Sequence, residues 1–224
     1  ELHAWLMAQF TPAQHEVWSN GEQVDFALFD KHCGIRVRLS AYMTTDGIAV
    51  AVRLLPKQVP TLAELGATEF LEKLKPFRHG LVLITGATGS GKSTSMASWI
   101  DHVNKHNEAH VVTLEDRGEY RVVSDKCLIH QSEVGNQVSS FSTALRDVLR
   151  RDPDAIVVGE LRDLVSIELA LRAAETGHLV IATLHSATAV EAISRLIDVF
   201  PSENKSFVRN VLSSVLIGVV AQRL

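Results

Sequence analysis

The stretch Gly86-Ala87-Thr88-Gly89-Ser90-Gly91-Lys92-Ser93-Thr94 decides the reading of this 224-residue chain. A continuous apolar run, Leu81-Val82-Leu83-Ile84-Thr85, precedes it. Met96, Trp99, Ile100 and Val103 follow it at i, i+3, i+4, i+7. The pattern Gly86-x-x-x-x-Gly91-Lys92-Ser93 therefore sits where a buried strand turns into an amphipathic helix. Glycines there permit positive φ and close backbone approach, so consecutive N–H groups ring a phosphate. The helix beginning near Lys92 adds the positive end of its dipole. Lys92 is placed to reach the β- and γ-phosphates of a nucleoside triphosphate, and the Ser93 hydroxyl to ligate Mg²⁺. The whole loop, from Gly86 to Thr94, is the predicted nucleotide-binding element.

Outward from the loop, strands and helices alternate. His110–Leu114, Ala155–Val158 and Leu179–Leu184 are further apolar runs, and Phe141, Leu145, Val148 and Leu149 mark another amphipathic helix. Runs apolar on both faces, separated by helices, predict a parallel sheet covered on both sides. Thr61-x-x-Glu64 reads as a capping box opening a helix through Leu62, Leu65, Leu71 and Leu74.

Residues 1–56 read differently. A short helix-like piece, Trp5 to Phe10, comes before three strand-like runs: Val24–Phe29, Ile35–Leu39 and Ile48–Leu55. Ile35, Val37 and Leu39 alternate with Arg36 and Arg38, and Thr45-Asp46-Gly47 suits a hairpin turn. The predicted organisation is a small antiparallel α+β unit over 1–56, a Pro-flanked linker at 57–61, and an α/β domain over 62–224.

Two acidic segments stand at predicted strand ends. Glu115 and Glu119 lie in Val112-Thr-Leu-Glu115-Asp116-Arg117-Gly118-Glu119, and Glu160 ends Ala155-Ile-Val-Val-Gly159-Glu160. Four apolar residues and then an acid is the Walker B form, in which Glu160 either polarises a water or joins the metal shell. His178 and His185 bracket the run Leu179–Leu184, and His185 falls at the strand's carboxyl end, where ligands bind in α/β sheets. On composition alone Arg36, Arg38 and Arg53 fit a solvated sheet face.

Composition narrows the function classes. A net charge of −4 argues against a general nucleic-acid surface, and no aromatic-basic stripe accompanies it. Cys33 and Cys127 are far apart and outside any CxxC pattern, which predicts neither a disulfide framework nor a zinc site. Asn104-Lys105-His106-Asn107 lacks the final acid of the guanine-reading motif. The chain opens on Glu1 and closes on the apolar run Val219–Leu224, as a fragment of a longer protein would.

Four ordered segments together resemble the secretion and type IV pilus motor ATPases, and among them the pilus retraction motors. They are Gly86–Thr94, Thr113–Tyr120 (an Asp box), Leu149–Asp163 (Walker B) and Ala174–Ser186 (a His box). The resemblance implies a RecA-like P-loop ATPase domain preceded by a smaller PAS-like α+β domain. It implies a homohexamer that hydrolyses ATP with Mg²⁺ and acts on a platform protein of the inner membrane, so that it is cytoplasmic and peripheral to that membrane, without nucleic acid. By position it assigns Lys92, Ser93 and Thr94 to phosphate and Mg²⁺ and Glu160 to Walker B. Glu115 and Glu119 fall in the Asp box, whose glutamates are the alternative to Glu160 for polarising the attacking water, and His178 and His185 in the His box. Arg38 and Arg53 become a finger pair. Ile197–Asn210 and Ala174–His178 are retraction-like; Ala221-Gln222-Arg223-Leu224 is closer to assembly and secretion motors, and Arg117-Gly118 replaces the Asp box's usual Pro-hydrophobic pair.

Overall fold

The computed structural model describes residues 1–30, 34–67, 69–76, 78–116, 118–134 and 137–223. Cys33, Arg117 and Leu224, singled out above, lie outside them. The chain divides into two compact units, Glu1–Gln58 and Val59–Leu224.

The first unit begins with two helices, α1 (Leu2–Gln9) and α2 (Pro12–Ser19). The second was not legible in the hydrophobic pattern, because none of its residues is fully buried. Local capping makes it: the Thr11 side chain accepts from the Gln14 backbone, Gln14 returns a bond to the Thr11 N–H, and Pro12 stands at the first helical position. Strands β1 (Val24–Asp30), β2 (Ile35–Thr44) and β3 (Gly47–Leu54) form an antiparallel sheet in that order. Leu6, Phe10, Val24 and Ala41 are its buried centre. The β2–β3 register sets Thr44 opposite Gly47, closing a two-residue hairpin, and sets Arg38 directly opposite Arg53.

The second unit carries a six-stranded sheet in the order β6-β5-β7-β8-β4-β9, and every neighbouring pair is parallel. The strands are β4 (Gly80–Gly86), β5 (His110–Glu115), β6 (Leu128–Glu133), β7 (Ala155–Val158), β8 (Leu179–Leu184) and β9 (Leu216–Gln222). Residues of β4, β7 and β8 are buried throughout, as their unbroken apolar runs predict. Alternate side chains feed two cores. Leu81, Leu83, Ile156, Val158, Val180 and Ala182 face α5 (Phe141–Val148), α6 (Leu164–Glu175), α7 (Ala189–Asp198) and α8 (Lys205–Val215). Val82, Ile84, Val157 and Ile181 face the other way, onto α4 (Lys92–His106).

The helix expected from Thr61 to Leu74 is a correction. The Thr61–Glu64 box forms, with Thr61 N–H donating to Glu64 Oε2 at 2.7 Å and Glu64 N–H to Thr61 Oγ1 at 3.2 Å. Yet Leu62–Gly66 is only a turn, and helix α3 is confined to Glu69–Lys73. Gly66 takes φ +59°, a left-handed conformation that ends a helical turn after one cycle. Leu62, Leu71 and Leu74 are nonetheless buried against α4, so the apolar spacing recorded a packing face on a broken segment.

Trp99 joins these pieces. It is fully buried on α4, and its Nε1 donates to the Leu74 carbonyl at 3.1 Å. Trp99→Ala removes the largest buried side chain and leaves that carbonyl without its donor. A loss of about 3–5 kcal/mol is expected, read as a lowered denaturant midpoint of the larger unit.

Candidate nucleotide site

The carboxyl ends of β4, β5, β7 and β8 lie along one edge of the sheet. Backbone ties bring their loops together. Gly159 N–H donates to the Leu114 carbonyl at 2.7 Å, Leu161 N–H to the Thr183 carbonyl at 3.0 Å, and Thr85 Oγ1 to the Ser186 carbonyl at 2.8 Å. Glycine suits this approach, since a Cβ at Gly159 would stand 3.2 Å from Glu115 Cα and 3.3 Å from the Leu114 carbonyl, and these neighbours would have to give by a few tenths of an ångström.

The loop after β4 is tight. Gly89 and Gly91 take φ +80° and +86°, and Gly91 is the N-cap of α4. At Gly86 a side chain has no room, because its Cβ would be 2.5 Å from the Gln222 carbonyl and closer still to Ser90 Oγ. Ala87, Thr88 and Gly89 are exposed at the rim, and Ser93 is exposed on the first turn of α4. Thr94 Oγ1 is 3.2 Å from the Tyr120 hydroxyl.

Lys92 is 8% exposed. Its Nζ donates to the carbonyls of Gly86 and Ala87 at 2.8 and 2.9 Å, and lies 3.4 Å from His185 Nδ1. Burial pushes its pKa down, and the Glu160 charge partly restores it. The other His185 nitrogen, Nε2, is 3.3 Å from Glu160 Oε1. Glu160 Oε2 accepts from Arg162 Nε at 2.7 Å, and Arg162 extends to Asp116 Oδ2 at 3.0 Å. Lys92, His185, Glu160, Arg162 and Asp116 thus form one connected chain of polar contacts. Neither Arg162 nor Asp116 was singled out from the sequence. Their charge signs and strand-end positions were visible there, but nothing in one dimension pairs a residue near 116 with one near 162.

The remaining predicted site residues are placed as follows. Glu115 Oε1 accepts from Thr113 Oγ1 at 2.8 Å and from Gln131 Nε2 at 3.3 Å, so it is engaged toward β6. Glu119 is half-buried on the turn after β5. His178 stands at the amino end of β8, the opposite end from His185, where its Nδ1 is 3.1 Å from the Ala173 carbonyl. The chain does not bring His178 to Lys92. Arg38 and Arg53 belong to the first unit and face each other across β2 and β3. Arg36 lies on the same sheet face, two residues from Arg38.

The residues fit a magnesium nucleotide. A backbone cradle closed by a glycine without room for a Cβ, a buried ammonium and an exposed hydroxyl on the first helical turn are the donor set such a group requires. Among the described residues no group of three or more His, Cys, Asp or Glu side chains could hold a metal by itself.

Residues 12–224 match the Type II/IV secretion system protein family. The chain belongs to that family. It is 47% identical over 223 residues to the YggR protein of Escherichia coli (strain K12), covering 100% of this chain and 67% of that one. It is 42% identical over 224 residues to the type IV pilus retraction ATPase PilT of Pseudomonas aeruginosa, covering 100% of this chain and 65% of the relative. The crystal structure of the pilus retraction motor PilT with bound ADP matches at a TM-score of 0.94 and 42% identity, over 99% of this chain and 64% of that one. The Legionella pneumophila ATPase DotB matches at a TM-score of 0.82 and 28% identity, over 96% and 61%. The chain thus spans about two thirds of the length of these relatives. Their α/β architecture with a parallel sheet is the one described above.

Asp163 follows Arg162 directly and caps α6, accepting from Ser166 N–H at 2.9 Å and Ser166 Oγ at 2.7 Å. Burial raises its pKa, but hydrogen bonds from Ser166, Val165 and its own backbone together outweigh burial and hold it below the usual 3.8. Because the folded-state value is the lower one, the cap's contribution is present above the unfolded pKa and lost as pH falls through the folded one. Asp163→Ala is expected to cost about 1 kcal/mol at pH 7. In denaturation measured against pH, its gap from the unsubstituted protein narrows only below about pH 4.

Proposed function

We propose that this chain is the nucleotide-hydrolysing core of a hexameric motor that powers type IV pilus retraction, converting ATP and water to ADP and phosphate. One observation carries the reading. The lysine of the phosphate loop is joined through His185 to Glu160, in a chain 42% identical to a pilus retraction ATPase.

In this reading Gly86–Thr94 cradles the phosphates with backbone N–H groups, and Lys92 exchanges its carbonyl partners for phosphate oxygens. Ser93 and Glu160 would hold Mg²⁺, which when bound neutralises phosphate charge. Glu160 orients the attacking water, since its carboxylate is the acid connected to Lys92. Glu115 and Glu119 act from the Asp box as supporting acids, and His185 reports the occupancy of the phosphate end to Glu160. His178, at the far edge of the sheet, serves a contact outside this chain's own pocket. The first unit, read as PAS-like, presents Arg38 and Arg53 to the nucleotide of a neighbouring subunit. Arg38 and Arg53 stand directly opposite each other in the β2–β3 register, so one place on the sheet offers both, which supports a joint role for them.

The motor would act at the bacterial inner membrane through a platform protein, peripheral to the membrane on its cytoplasmic side. No described helix is long and apolar enough to cross a membrane. A second reading, a pilus-assembly or secretion ATPase of the same family, is favoured by Ala221-Gln222-Arg223-Leu224. Deleting the gene separates the two: pili that accumulate without retracting mark a retraction motor, and loss of pili marks an assembly motor.

Lys92→Ala is expected to bring ATP turnover to background with an unchanged circular-dichroism spectrum; retained hydrolysis refutes the loop assignment. Arg53→Ala is expected to lower turnover of the assembled protein on the order of 10³-fold. Nucleotide affinity of a monomeric preparation should change little, and unchanged turnover in the assembly removes the finger role.

A further inference from the structure

We propose that Arg162 is a positioning residue for Glu160: braced by Asp116, its guanidinium fixes the direction in which the carboxylate points. The inference rests on the hydrolytic reading above and adds a residue that reading does not use.

The two oxygens of Glu160 have different partners. Oε2 receives Arg162 Nε at 2.7 Å, and Oε1 lies 3.3 Å from His185 Nε2. A glutamate side chain has three rotatable bonds, and one contact at its tip leaves it free to swing. Two contacts on opposite oxygens define the carboxylate plane. Arg162 makes the stronger of them, a short charge-assisted bond.

Arg162 is itself held at its other end. Its terminal nitrogen lies 3.0 Å from Asp116 Oδ2, on the turn after β5, whereas Glu160 is on the turn after β7. One planar group thus staples two neighbouring turns, with Nε serving one and the terminal nitrogen the other. That geometry needs a guanidinium. A lysine ammonium is a point charge on a flexible stem and meets one partner at a time.

Exposure shows what the staple is for. The Arg162 and Asp116 side chains are 56% and 45% exposed, while that of Glu160 is 16% exposed. An ion pair so open to water adds little to stability. Its outer half would be poor value as a structural bond, yet its inner half reaches a partly buried carboxylate adjoining the His185–Lys92 pair. The consequence of losing Arg162 should therefore appear in Glu160 chemistry and hardly at all in folding.

The test uses the full chain in three forms: unsubstituted, Arg162→Gln and Arg162→Lys. ATP turnover is measured against ATP concentration, a fluorescent ADP analogue is titrated without magnesium, and thermal unfolding is recorded. Arg162→Gln is expected to lower kcat about tenfold to a hundredfold, with KM for ATP and analogue affinity changed less than about twofold and the unfolding midpoint by no more than about 2 °C. Arg162→Lys should recover only part of the lost kcat, and Asp116→Asn should lower kcat less than Arg162→Gln does. Full activity in Arg162→Gln, full rescue by lysine, or a loss explained by unfolding overturns the proposal while leaving the hydrolytic reading standing. A raised kcat also overturns it, because Arg162 would then restrain Glu160 rather than aim it. Absence of turnover in the unsubstituted chain overturns the hydrolytic reading and this inference together.

Discussion

An ammonium group placed almost out of water at the foot of a helix is the constraint around which the site is built. Lys92 has 8% of its surface exposed. A buried cation without partners costs several kcal/mol, so its surroundings must supply acceptors. Two are the carbonyls of Gly86 and Ala87, which point inward because the loop doubles back through glycines at positive φ. The third contact is His185, and beyond it stands the Glu160 carboxylate. Burial lowers the lysine pKa, and the Glu160 carboxylate, on the turn after another strand, partly opposes that shift.

The strand order makes this possible. β4, which leads into the loop, lies beside β8, which leads into His185; β8 lies beside β7, which leads into Glu160; and β7 lies beside β5, which leads into Glu115 and Asp116. Because all these strands are parallel, their carboxyl ends share an edge, and His185, 93 positions after Lys92, arrives within hydrogen-bond reach of it. A pocket assembled this way depends on the sheet's register. The Gly159–Leu114 and Thr85–Ser186 bonds pin that register at the point of use.

Elements whose cause is local or periodic were legible before any coordinates. The loop, the buried runs of β4, β7 and β8 and the face of α4 through Trp99 follow from apolar spacing and glycine placement. What stayed hidden had other causes. Helix α2 has no buried residue and owes its existence to a cap. Strand β6 mixes Leu128 and Ile129 with His130, Gln131 and Glu133, as an edge strand with one wet side does, so its pattern is weak. The Thr61–Leu74 segment carried both a capping box and helical spacing, and Gly66 cut it anyway. In the site, Lys92, His185 and Glu160 were readable one at a time from motif position. Arg162 and Asp116 were not, since only the sheet order brings their turns together. His178 and His185 look symmetric about one strand in sequence, and a strand separates its two ends by nearly its full length.

On the proposed hydrolytic reading, nucleotide-free and nucleotide-bound forms would differ in a way the contacts define. Phosphate oxygens and the carbonyls of Gly86 and Ala87 compete for the same ammonium, so binding replaces bonds within the loop rather than filling an empty socket. Moving Lys92 toward a phosphate changes its contact with His185, and His185 is one of the two groups that hold Glu160. Arg162, anchored on Asp116, is the other and has no direct contact with the lysine among the hydrogen bonds described. Glu160 therefore sits between one partner that touches the loop lysine and one that does not. On the proposed reading, occupancy would loosen the first contact while the second keeps the carboxylate in place, as a water-orienting acid requires.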